Sequence, residues 1–96
     1  MNRCEELEDL REEIRKVTAE IIKLCGTRLS LAEKVGEIKL MRSLPIEDSD
    51  VEDELRQAVL EDCRLYGVDS EFGIRLLDLL LEESKRLQGN IMNQRR

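Results

Sequence analysis

Apolar side chains recur through the first part of the chain at Leu7, Leu10, Ile14, Val17, Ile21, Leu24, Leu31, Val35 and Ile38. Steps of three and four alternate, which is the heptad seam of a long helix that lies against other helices. The pattern predicts one helix from Leu7 to Met41. Between Leu24 and Leu31 the seam position holds Arg28 instead of an apolar residue. A guanidinium on a covered face is costly unless something anionic meets it, so Arg28 is the first candidate functional residue. Gly26 and Gly36 also interrupt the pattern. Each costs up to about 1 kcal/mol against alanine, which points to close packing or a nearby ligand. Pairs such as Glu12 with Lys16 and Glu20 with Lys23 read as a solvated outer face.

Pro45 disfavours helical geometry in the residue before it and ends the first helix. Ser49 with Glu52 reads as a capping box that opens a second helix, whose apolar face is Val51, Leu55, Ala58, Val59 and Cys63. Gly67 stops it. A third helix, with Asp69 or Ser70 as its cap, runs from about Ser70 to Gln88 or slightly beyond. Its seam includes Ile74, Leu77, Leu80, Leu81, Leu87 and Ile91. The fold class expected is therefore all-α, with long, short and medium helices in a single domain (1–96). The helical core should span about residues 5–90, and a tail from about residue 92 to 96 should be disordered.

Length adds a constraint. From Leu7 to Ile38 the first helix measures roughly 48 Å, whereas a compact monomer of this size has a radius of gyration of only ~12–13 Å. The helix overhangs any globule its own chain can make, and a second copy is the simplest cover for the protruding seam. A helical homodimer is expected.

Composition narrows the function. Charged residues make up 40 % of the chain, the net charge is −6, and there is one Tyr, one Phe and no Trp. Such a chain lacks the basic footprint and the stacking surfaces of a nucleic-acid binder. No apolar run approaches membrane-spanning length, and no basic amphipathic face suggests a membrane surface. Cys4, Cys25 and Cys63 are scattered and His is absent, so no zinc spacing and no Cys/His nucleophile pair exists. A reduced, cytoplasmic protein is the plain reading.

Four polar residues sit where the helices should be covered: Arg28, Lys39, Ser84 and Gln88. Arg28 and Lys39 are about three turns apart on one side of the first helix, and Ser84 and Gln88 are one turn apart on the third. If those sides meet, they form a pocket with two cations and two neutral hydrogen-bonding groups, suited to a small anion. Arg11 lies about 25 Å from Arg28 along the same helix. An antiparallel pair of first helices crossing near Ala19 brings Arg11 of one chain beside Arg28 of the other, giving two equivalent pockets per dimer. Each residue also has an ordinary explanation. Arg28 can snorkel or set register, Arg11 can pair with nearby glutamates, and Lys39 can favour a helix C-terminus. Ser84 can bond back to its own helix, Gln88 can be a rim residue, Glu52 can be only a capping partner, and Asp48 only a turn residue.

Taken together, the order and spacing resemble the all-helical chorismate mutase family over about residues 5 to 90. The resemblance is carried by Leu10-Arg11-Glu12-Glu13-Ile14, Arg28 with Leu31-Ala32 and Val35-Gly36, and Ile38-Lys39. It continues through Pro45-Ile46, Asp48, Glu52, Ile74 to Glu83, Ser84 and Gln88. The resemblance implies an intertwined helical homodimer and conversion of chorismate to prephenate, a step of aromatic amino-acid biosynthesis. The reaction is an intramolecular Claisen rearrangement and needs no cofactor. By the same resemblance, Arg28 and the other chain's Arg11 bind the substrate carboxylates with help from Ser84. Lys39 and Gln88 donate to the breaking ether oxygen, and Glu52 and the Asp48 region hold the ring hydroxyl. Gln88 is neutral and donates at any pH, whereas a glutamate there would tie activity to acidic pH.

One position departs from the pattern. The family commonly has an arginine just before the glutamate, and this chain has Val51. One cation is missing, and weaker substrate binding is expected. Arg56 lies well around the helix, and Arg42 in the loop is the nearer replacement. Two other functions fit the same features: an isochorismate–pyruvate lyase of the same fold, and a non-catalytic helical dimer.

Overall fold

The computed structural model describes residues 3–94 and contains three helices: α1 (Arg3–Met41), α2 (Ser49–Tyr66) and α3 (Ser70–Gln94). The all-α expectation of long, short and medium helices holds, at 39, 18 and 25 residues. Both outer limits move outward. Helix α1 begins at Arg3, and α3 carries Met92, Asn93 and Gln94, which were expected in a disordered tail; Arg95 and Arg96 lie outside the described residues.

The helix ends follow local chemistry, with two corrections. Helix α1 closes before Pro45 is reached. Leu44 N–H donates to Lys39 O at 2.8 Å, Ser43 N–H donates to Leu40 O at 3.3 Å, and Ser43 sits at φ 55. These are the paired bonds of a Schellman closure, with serine in the left-handed position that glycine usually fills. Helix α2 is capped by Asp48 and not by Ser49. Asp48 is extended (φ −136, ψ 99), and its Oδ1 accepts from Val51 N–H at 3.3 Å. The capping box is therefore not made, and Glu52 points elsewhere. Gly67 ends α2 at φ 68, as its sequence position implied. Asp69 opens α3 by accepting from Phe72 N–H at 3.0 Å.

Helix α3 is the centre of the molecule, because the backbones of α1 and α2 both pack close on it and not on each other. Arg28 reaches Leu80 and Ser84, while Ala32 and Gly36 meet Gln88, so α1 runs parallel to α3. Cys63 and Val59 face Gly73, and Glu52 faces Lys85, so α2 runs antiparallel to it. Ala32, Gly36, Cys63, Gly73, Leu77, Ser84, Gln88 and Ile91 are buried in the two contacts.

The face of α1 used for this is not the apolar seam. The residues that lose exposure are Cys25, Arg28, Leu29, Ala32, Gly36, Glu37, Lys39 and Leu40. The seam itself, from Leu7 to Ile38, stays 43–65 % exposed at its nine apolar positions. Every described residue from Arg3 to Leu24 is exposed, so about 33 Å of helix has no cover from its own chain. The chain measures 61 × 28 × 14 Å.

At the α2–α3 contact, a Cβ on Gly73 would overlap Cys63 Sγ and lie 3.3 Å from Val59 Cγ1. Gly73→Ala is expected to separate α2 from α3 and cost about 1–3 kcal/mol, read as a lower denaturation midpoint with the helical signal retained.

Candidate functional site

Helices α1, α2 and α3 and the loop before α2 line an open cavity of about 280 Å³, near the lower end of the sizes that take small-molecule ligands. Six of the residues singled out from sequence line it: Arg28, Lys39, Asp48, Glu52, Ser84 and Gln88. Arg11 does not. It is exposed on the uncovered part of α1, with its Nη1 2.8 Å from Glu8 Oε1.

Each side chain is held by a specific bond. Arg28 Nη1 donates to Ser84 Oγ at 2.5 Å and to Leu80 O at 3.2 Å. Ser84 uses its own proton on Leu80 O at 2.9 Å, leaving its oxygen to accept from the guanidinium. The arginine is thus met by neutral acceptors and keeps its full charge for an anion. Lys39 Nζ donates to Ile46 O at 2.6 Å and ties the end of α1 to the loop. Gln88, 6 % exposed, donates from Nε2 to Ala32 O at 3.2 Å, crossing into the backbone of α1. Asp48 is occupied as the cap of α2 and lines the cavity from that position. Ala32, Val35, Ile46, Val51, Leu55 and Leu81 supply the apolar wall. Among the described residues, no group of three or more His, Cys, Asp or Glu side chains is placed to hold a metal ion. No helix of those residues is long and apolar enough to cross a membrane.

Over residues 10–89 the chain matches the family model described as chorismate mutase type II. The chain belongs to that family. It is 32 % identical over 90 residues to the chorismate mutase of Methanocaldococcus jannaschii, covering 94 % of this chain and 91 % of that protein. Similarity extends to bifunctional chorismate mutase/prephenate dehydratases. In Aquifex aeolicus the identity is 41 % over 64 residues, covering 66 % of this chain and 18 % of that one. In Escherichia coli K12 it is 29 % over 85 residues, covering 88 % and 22 %. The chain spans nearly all of the first relative and about a fifth of the bifunctional ones.

Sequence reasoning passed over one charged residue of this chorismate mutase family cavity, Lys85. Its Nζ is 2.6 Å from Glu52 Oε1 and 3.3 Å from Glu47 Oε1. The bond to Glu52 holds the Lys85 ammonium above the ordinary lysine range; burial opposes this and Glu47 adds to it. The stability gained from this pairing is complete below the ordinary lysine value and is lost only as pH rises through the elevated one, so it is intact at neutral pH. The signal in the sequence was position. Leu81, Ser84, Lys85 and Gln88 fall at i, i+3, i+4 and i+7, one stripe of α3. Neither replacement cation considered from sequence reaches the site. Arg56 pairs with Asp78 at 3.2 Å, and Arg42 is exposed and outside the cavity lining.

Gly36 explains how Gln88 comes so close to α1. A Cβ there would lie 2.9 Å from Gln88 Cγ, 3.4 Å from its Cβ and 3.5 Å from its Cα. The obstruction involves the root of the side chain and not its flexible end. Gly36→Ala is expected to push Gln88 off Ala32 O and lower turnover at least tenfold with the helices intact, a loss of one oriented donor; steady-state kinetics beside circular dichroism checks this.

Proposed function

We propose that the protein converts chorismate to prephenate, in the cytoplasm, as a step of aromatic amino-acid biosynthesis. The observation that carries this reading is the convergence of Arg28, Lys39, Ser84 and Gln88 on one cavity. It offers fixed cations and a neutral donor, and its one hydroxyl, Ser84, gives its proton to Leu80 O and has no base to activate it. The chemistry asks for nothing more. Chorismate is a dianion whose enolpyruvyl ether must fold over the ring before one carbon–carbon bond forms and one carbon–oxygen bond breaks. Clamping both carboxylates supplies the near-attack geometry. Donors aimed at the ether oxygen stabilise the charge that grows there in the transition state and not in the ground state.

In this reading Arg28 binds one carboxylate, with Ser84 holding the guanidinium. Lys39 has three donors and spends one on Ile46 O, so its remaining N–H groups serve the ether oxygen. The second N–H of the Gln88 amide does the same. Glu52 and the Asp48 region accept from the ring hydroxyl. No proton is transferred and no cofactor takes part.

The reading includes a homodimer with a composite site. It is supported by the exposed seam of α1, by the uncovered stretch from Arg3 to Leu24, and by the distance of Arg11 from its own chain's cavity. A row of exposed apolar side chains this long is not left in water by a stable protein. Antiparallel pairing about Ala19 buries it and carries the partner subunit's Arg11 to Arg28.

Purified protein mixed with chorismate is expected to yield prephenate, identified by chromatography. Arg28→Ala and Lys39→Ala should each lower turnover roughly 100-fold or more while remaining helical; salicylate and pyruvate as products, obtained from isochorismate instead, would replace this reading with the lyase. The composite site makes a separate prediction. Arg11→Ala and Arg28→Ala homodimers are each nearly inactive, but unfolding and refolding them together should restore about one quarter of wild-type activity. Half of the dimers are then mixed, and each mixed dimer has one intact pocket. No recovery would mean that Arg11 does not act across the dimer.

A further inference from the structure

Lys85 has no part in the mechanism above, yet it is one of the five ionisable side chains on the cavity wall. The others are Arg28, Lys39, Asp48 and Glu52. Without Lys85 the chain's own wall is electrically balanced, two cations against two carboxylates, and only the partner subunit's Arg11 of the proposed dimer is left to attract a dianion. Glu52 then presents an uncompensated carboxylate, only 19 % exposed, to an incoming anion. With Lys85 the wall carries one net positive charge, and Glu52 is neutralised at 2.6 Å. The ammonium has three donors, of which Glu52 and Glu47 take two. The α2 part of the wall is Val51, Glu52 and Leu55, so no cation reaches the cavity from α2.

We propose that Lys85 is a substrate-binding residue, contacting a carboxylate of the bound dianion with its third N–H while it holds Glu52 in place. This rests on the mutase reading above. The cation that α2 fails to supply at Val51 comes instead from α3, one residue beyond Ser84. Arg28 enters the cavity from α1 and Lys85 from α3 beside Glu52, so Lys85 adds a cation for a carboxylate of the ligand on the side where α2 supplies none.

The test uses the full chain with Lys85→Met, which keeps the length and helix preference of the side chain, and the double variant Lys85→Met/Val51→Arg. Lys85→Met is expected to raise KM for chorismate roughly 10- to 100-fold, the effect of losing one charge-assisted hydrogen bond, with a smaller change in kcat. Because Val51 faces the same cavity, Val51→Arg in the Lys85→Met background should recover most of that loss. Val51→Arg alone is measured beside it, because a Lys85 that merely braces Glu52 would leave the Lys85→Met effect the same with or without the arginine, whereas a shared carboxylate makes the two effects non-additive. Lys85→Gln, isosteric enough to keep α3 folded, guards against misfolding of the first variant and should raise KM likewise. An active wild type whose KM is unchanged in folded Lys85→Met and Lys85→Gln, or a folded double variant with no recovery, overturns the assignment of Lys85 alone. A folded wild type that leaves chorismate unchanged overturns the mutase reading and this assignment with it.

Discussion

The seating of Arg28 on α3 is the constraint on which the rest depends. Its guanidinium crosses from α1 to Leu80 O and Ser84 Oγ, and over the next two turns of α1 the helices are held by size and not by charge. Ala32 and Gly36 let Gln88 lie against the α1 backbone. An arginine among small residues is an unusual way to join two helices, since a leucine there would contribute more stability. What it gives is a parallel pair in fixed register with an undischarged cation at its centre. The loop that brings in α2 then has only to close the third side, and Lys39 fastens that loop at Ile46.

Much of this was legible in the spacing of residues. The lengths and order of the helices follow from periodicity and from Pro45, Gly67 and Asp69. Arg28 stood out because it interrupts the apolar seam, Lys39 because it shares a side of α1 with Arg28, and Ser84 and Gln88 because they lie on or beside the stripe of α3; the four share one cavity. Periodicity marks one face of α1 strongly and the other weakly. The strong apolar seam of α1 is exposed, and the face that meets α3 is a weaker stripe of Cys25, Arg28, Leu29, Ala32 and Gly36. Small residues give a low hydrophobic signal but permit the closest approach of backbones, so the intrachain contact was the harder of the two to see.

Local competition accounts for the other differences. Asp48 and Ser49 are both good caps, and the aspartate takes the position, which frees the Glu52 carboxylate to cross to Lys85. Lys85 itself was hidden by its surroundings: Glu83, Ser84 and Arg86 flank it, and Arg86 does pair with Glu83 on the exposed surface. A lysine in such a run reads as solvated until the fold turns it toward α2.

The backbones of α1 and α2 do not approach each other, and the cavity lies between them. A ligand that fills it becomes the missing layer of packing between them, touching Arg28 and Lys39 on one side and the Glu52 turn on the other. Its binding free energy is therefore also cohesion of the fold, since only the assembled chain can hold it. In this sense the molecule is built with part of its core left to be supplied by what it binds, and its melting temperature becomes a gauge of occupancy.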